Sequence, residues 1–97
     1  MTPRKLLLTE QALDDFQRRA LYLTAERGVQ FALLWSDTLI DWLEHIASIG
    51  AQLGTEHPVE KSIRTFGYKR QATVLADFQA DELRVVRIYF SGQDWTN

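Results

Sequence analysis

The chain contains no cysteine. Disulfide staples and thiolate metal sites are therefore excluded, and a reducing compartment suits it. Its only histidines are His45 and His57. They stand twelve apart, and two lone histidines at that distance do not make the His-x-x-x-His pattern of a metal site. No Gly-rich phosphate loop or nucleophile motif occurs, so no cofactor is expected. No apolar run approaches the ~20 residues of a membrane span. The opening MTPRKLLLTE has two basic residues and three leucines, short of the roughly 7–15 apolar residues of a secretory core. A soluble cytoplasmic protein without a membrane partner is the expectation. An excess of basic charge is missing too: 11 Lys and Arg stand against 13 Asp and Glu, for a net charge of −2. That balance argues against a general nucleic-acid binder, and direct sequence-specific DNA binding by this chain alone is not expected.

The composition that remains is that of one globular domain, residues 1–97. The hydrophobic fraction is 45%, and three Trp, five Phe and three Tyr enlarge a core that a chain this short would otherwise build thinly. The charge is uneven. Residues 28–61 hold one base, Lys61, against Asp37, Asp41, Glu44, Glu56 and Glu60. Residues 62–97 hold Arg64, Lys69, Arg70, Arg84 and Arg87 against Asp77, Asp81, Glu82 and Asp94. Any contact with a polyanion would have to use the C-terminal part.

Periodicity orders the elements. RKLLLT reads as a first strand. Thr9 can cap a helix, with Glu10, Asp14 and Asp15 suited to its positive first turn. Leu13, Phe16, Ala20 and Leu23 form one helical face, and Gly28 is its stop. Ala32, Trp35, Leu39, Trp42, Ile46, Ile49 and Leu53 alternate spacings of three and four, an apolar seam along about six turns of a second helix. The short joint between the patterns predicts an antiparallel helical hairpin. After His57-Pro58 the period changes to two. SIRTFGYKR is a strand, and QATVLADF places Ala72, Val74, Ala76 and Phe78 on one face. LRVVRIYF is the last strand, with Val85 and Tyr89 on one face and Val86, Ile88 and Phe90 on the other, a pattern usual for a central strand. The predicted class is α+β in the order β-α-α-β-β-β, with the hairpin on one face of a small, mostly antiparallel sheet. The N-terminal and last strands are expected to pair side by side.

TEQALDDF, with Ala12 and Asp15-Phe16, resembles the opening pattern of the RelE/ParE superfamily of type II toxin–antitoxin toxins. The hairpin with a glycine at its joint follows. DELRVVRIYFSGQDW then resembles the family's closing strand at Arg84, Val85, Arg87, Ile88 and Asp94. The resemblance runs along nearly the whole chain. It departs at Phe90, where the family often has His, at Ser91-Gly92 in place of Gly-Arg, and at Ala76-Asp77 in place of a Tyr-Arg pair. No C-terminal helix is expected after Trp95. The resemblance implies a ParE-like toxin, associated with plasmid stabilisation, that arrests growth by protein contact with DNA gyrase. A cognate antitoxin would neutralise it by laying an amphipathic helix or an added strand on the hairpin or the outer sheet edge. Two alternatives stay open: a RelE-like endoribonuclease acting at the ribosome, and a non-toxic member that only binds a partner.

Metal-free RNA cleavage needs a base, cations for the phosphorane and an acid. The catalytic candidates are Lys69, Arg70, Arg87 and Tyr89, with His57 and Tyr68 as further acid–base groups. The target-binding candidates are Arg64, Lys69, Arg70, Arg87 and Trp95. Against this stands the plainer reading that the cations are solvated strand residues or partners of Asp77, Asp81 and Glu82. His45 beside Glu44 reads as a solvent-facing helix residue, His57 as a turn residue, and Trp35 and Trp42 as core. Asp94 and Trp95 are expected either to tie the tail or to dock a partner. In a regular strand Arg84 and Arg87 point to opposite sides, so the last strand is expected to present a single cation beside Lys69 or Arg70.

Overall fold

The computed structural model of the protein describes residues 4–49, 54–60 and 62–90. Strand β1 (Lys5–Leu8) leads into helices α1 (Glu10–Arg27) and α2 (Val29–Ile49), followed by β2 (Thr55–Glu56), β3 (Arg64–Tyr68), β4 (Ala72–Phe78) and β5 (Glu82–Phe90). The five strands form one sheet in the order β1-β5-β4-β3-β2. β1 runs parallel to β5, and the other neighbours are antiparallel. The expected α+β class, the hairpin against the sheet and the pairing of first and last strands are all present. The short strand β2 is an addition. It has two exposed residues and no apolar alternation, so nothing in its composition announced it.

Thr9 joins three parts of the fold. Its backbone N–H donates to Val85 O at 3.0 Å, which ends the β1–β5 ladder. Its Oγ1 accepts from Ala12 N at 3.2 Å as the cap of α1, and its hydroxyl donates to Val86 O at 2.8 Å. A single residue, Gly28, separates the two helices. Its φ of 95° and ψ of 163° fall in a region that is essentially glycine-only, so the chain reverses without an intervening loop.

The helix faces are rotated slightly from the sequence expectation. On α1 the fully buried residue is Ala12, while Leu13 is 44% exposed. On α2, Leu43 and Ala47 join Ala32, Leu39 and Ile46 in the buried set, whereas Ile49 is exposed. A straight helix drifts by about 20° per heptad relative to a strict three-four seam, so the buried line moves off Ile49 and onto Ala47. Trp35 and Trp42 are half-buried against the core, as expected of core packing. Trp42 meets Tyr68 at 4.9 Å between ring centroids, and Trp35 meets Phe16 and Phe90 at 5.5 and 5.7 Å.

β5 also differs in detail. Val85 faces Ala76 and Arg87 faces Leu75, so Val86 is the extra residue of a β-bulge. The bulge shifts the alternation by one position. Leu83 and Val85 before it, and Ile88 and Phe90 after it, consequently all face the helices. β5 lies between β1 and β4, as predicted for a central strand, but its apolar residues collect on one face instead of two. Each large side chain fully buried there, such as Leu83 or Ile88, contributes roughly 1.5–3 kcal/mol.

Candidate interaction site

The same bulge reorganises the basic residues. Arg84 faces Asp77 and Arg87 faces Leu75. Asp77 and Leu75 are two apart on β4, so both arginines lie on the same face of β5. The expectation of opposite faces held only for a regular strand. Both guanidiniums are also engaged by carboxylates. Arg84 binds Glu82 at 2.9 Å. Arg87 forms a forked pair with Asp15, Nε to Oδ2 at 2.8 Å and a terminal nitrogen to Oδ1 at 3.1 Å. The Asp15 carboxylate also accepts from Ile88 N at 3.0 Å. It thereby closes part of the β5 edge that β1, which ends opposite Val85, leaves uncovered. The hydrogen bonding that Arg87 donates to Asp15 is the main cause that raises the Arg87 pKa above its ordinary value, with the coulombic attraction of that carboxylate adding to it against desolvation. The last strand therefore presents no unpaired guanidinium among the described residues.

Lys69 and Arg70 do not lie on a strand as expected. They form the β3–β4 turn, closed by Gln71 N to Tyr68 O at 2.7 Å, and both have positive φ, 48° and 58°. Such backbone favours Asn or Gly; long cations held there carry a local conformational cost. Lys69 Nζ sits 5.3 Å from the Tyr68 ring centroid. Arg64 lies at the opposite end of β3, donating to Gly54 O at 2.9 Å, and does not cluster with the turn. Tyr89 is half-buried beneath Arg87, with the guanidinium carbon 4.8 Å from its ring centroid. Trp95 and Asp94 lie outside the described residues.

The acid–base candidates take structural places. Tyr68 is 3% exposed and packs in the core. His57 is buried, and its Nδ1 accepts from Val59 N and Glu60 N at 3.1 and 3.0 Å, the turn role read from its position before Pro58. His45 is exposed on α2. Among the described residues no group of three or more His, Asp or Glu is placed to hold a metal, and no helix is long and apolar enough to cross a membrane.

Two features escaped sequence reasoning. The first is the Asp15–Arg87 clamp, whose partners are far apart in the chain; Asp15 stood out through the helix start and the family pattern, not as a partner of Arg87. The second is Arg19 on α1. Its guanidinium lies 4.9 Å from the Tyr22 ring and 5.3 Å from the Phe90 ring. It lines a groove of about 340 Å³ between α1 and the end of β5, together with Asp15, Arg18, Tyr22 and Arg87.

Compared with solved structures, the chain superposes on a chain from the chromosomal ParDE TA (toxin–antitoxin) system of P. aeruginosa with a TM-score of 0.76. The match covers 90% of this chain and 95% of the other, at 16% sequence identity. The two chains share one fold. No protein-family model matches the sequence, and no curated protein does at significant similarity. The shared fold keeps its architecture while few side chains coincide, as expected where function resides in grafted sites and not in the scaffold.

Proposed function

We propose that this protein is the toxin of a type II toxin–antitoxin module, ParE-like, that arrests growth by contact with a protein target and is neutralised by a cognate antitoxin. The observation that carries the reading is the fold shared with the ParDE chain along 90% of the sequence. The side-chain arrangement favours protein contact over RNA cleavage. Tyr68 is core, the His57 Nδ1 is occupied by backbone donors, and Arg87 is tied to Asp15. That leaves no acid, base and free cation gathered at one place among the described residues. DNA gyrase is the proposed target, by resemblance to the ParE-like branch, and the cytoplasm the proposed location. Arg64, Lys69, Arg70, Arg87 and Trp95 are its proposed contacts.

One observation favours the ribonuclease reading as the second: Lys69 and Arg70 project from a strained turn, a backbone cost of the kind that gathers at functional positions. Induction in cells with separate readouts decides between the two. Filamentation with a DNA-damage response supports gyrase contact. Rapid arrest of protein synthesis with cleaved transcripts overturns it in favour of the ribonuclease. Harmless expression overturns both and leaves a member that only binds a partner.

A further inference from the structure

Helix α2 packs into the core along one side, through Ala32, Leu39, Leu43 and Ile46. On another side Phe31, Leu34, Thr38, Asp41 and His45 keep the same alternation of three and four. Such spacing makes a second seam on a helix that already has one. Leu34 is 67% exposed and Phe31 37%. Thr38 donates its hydroxyl to Leu34 O at 2.8 Å, so its polar group is already engaged. Phe31, Leu34, Trp35 and Thr38 line an open groove of about 180 Å³ with Lys69 at its side. They stand at i, i+3, i+4 and i+7, the four residues that form the hole for a knob from a facing helix.

Charge is segregated along this seam. At its start the Arg27 guanidinium lies 4.3 Å from the Phe31 ring centroid, and Lys69 lies over Tyr68. Farther along stand the exposed acids Asp37, Asp41 and Glu44, and no base lies within α2. None of these five charges has an ion-pair partner among the described residues. Asp37 and Asp41 are four apart and repel each other. Acids in the second half of a helix also oppose its macrodipole. An exposed leucine between uncompensated charges of opposite sign marks a surface completed by something else.

We infer that this seam is the interface of a twofold dimer, in which α2 packs antiparallel on α2 of a second copy of the chain, with Leu34 beside the axis. The charge pattern selects the occupant. An acidic partner would meet Asp37, Asp41 and Glu44, and a basic one would meet Arg27 and Lys69. The seam is its own complement only when reversed. A twofold beside Leu34 sets Phe31 and its stacked Arg27 against the Asp37–Asp41 turn of the second copy, twice over by symmetry. Parallel pairing would set like charge on like. Each Leu34 then enters the hole of the other copy. The contact runs about 20 Å along the helix, short of a standard interface, so the dimer is weak, with a Kd on the order of 10–100 μM. This self-association is independent of the toxin reading.

Sedimentation equilibrium of the full chain from about 1 to 500 μM should show conversion of monomer to dimer. Arg27→Glu and Asp41→Lys should each weaken the dimer by about tenfold, and Arg27→Glu/Asp41→Lys together should restore it to within about threefold. Rescue needs a folded chain, so misfolding cannot imitate it. The protein has no cysteine, so Leu34→Cys carries a single thiol. Oxidised with diamide, it should give a disulfide-linked dimer at least about tenfold faster than Leu21→Cys. Leu21 is the 71% exposed control on α1. A monomer at every concentration, single variants that dimerise like wild type, a double variant without rescue, or equal cross-linking of the two cysteine variants overturns the inference.

Discussion

Removing the Asp15 carboxylate should cost more stability than removing its ion-pair partner. Asp15 has 12% side-chain exposure and accepts from Arg87 Nε at 2.8 Å, a second Arg87 nitrogen at 3.1 Å and Ile88 N at 3.0 Å. Asp15→Ala removes all these acceptors at once. It leaves a backbone donor on the covered edge of β5 and a guanidinium that is 32% exposed. Charge-assisted hydrogen bonds contribute about 1.5–3 kcal/mol each, and an orphaned buried donor costs about 1–3. The terms overlap, and partial exposure of Arg87 discounts the ionic part. The expected loss is about 2–3 kcal/mol, or roughly 10–20 °C in Tm for a domain of this size. Arg87→Ala keeps the Asp15–Ile88 bond and should cost only about 1 kcal/mol. A double-mutant cycle by urea denaturation should return a coupling of about 1 kcal/mol. Equal losses for the two single variants would refute the claim that the carboxylate's bond to the strand edge matters. A coupling near zero would refute the forked pair.

Three further outcomes follow from local geometry. Lys69→Asn/Arg70→Gly places residues tolerant of positive φ where φ is 48° and 58°; it should raise stability by about 1–2 kcal/mol and lower toxicity on induction, and a fall in denaturation midpoint would contradict the turn assignment. Gly54→Ala should destabilise by at least about 2 kcal/mol, because φ is +76° and a Cβ would come 2.5 Å from Thr65 O and 2.7 Å from the Phe66 ring; a neutral melt would show that this approach is not maintained. The folded pKa of Arg87 is raised, so its contribution is fully present below arginine's ordinary pKa and is lost only as pH rises through the still higher folded value. The stability gap between wild type and Arg87→Ala should therefore stay constant from about pH 7 to about pH 10, and a gap that closes within that range would contradict the sign.

Features that reside in neighbouring residues were legible in the sequence. The Thr9 cap, the Gly28 joint, the two helices and the placement of β5 inside the sheet each have a local signature in spacing or residue type. Features set by tertiary partners were not. The Val86 bulge is invisible in LRVVRIYF because apolar residues occupy both registers, and only the pairing with Leu75 and Ala76 selects one. The same ambiguity misplaced Arg84 and Arg87 on opposite faces. Lys69 and Arg70 read as strand because their neighbours are β-formers, and the sharp turn lacks its usual Asn-Gly. The clamp of Arg87 by Asp15 and the stacking of Arg19 on Phe90 join residues from opposite ends of the chain, which no periodicity records.

Growth under controlled induction, with and without a co-expressed candidate antitoxin, tests the toxin assignment most directly. The account predicts arrest when the protein is made alone and recovery when its antitoxin is made with it and co-purifies as a complex. Unimpaired growth on production of the folded protein alone would contradict it.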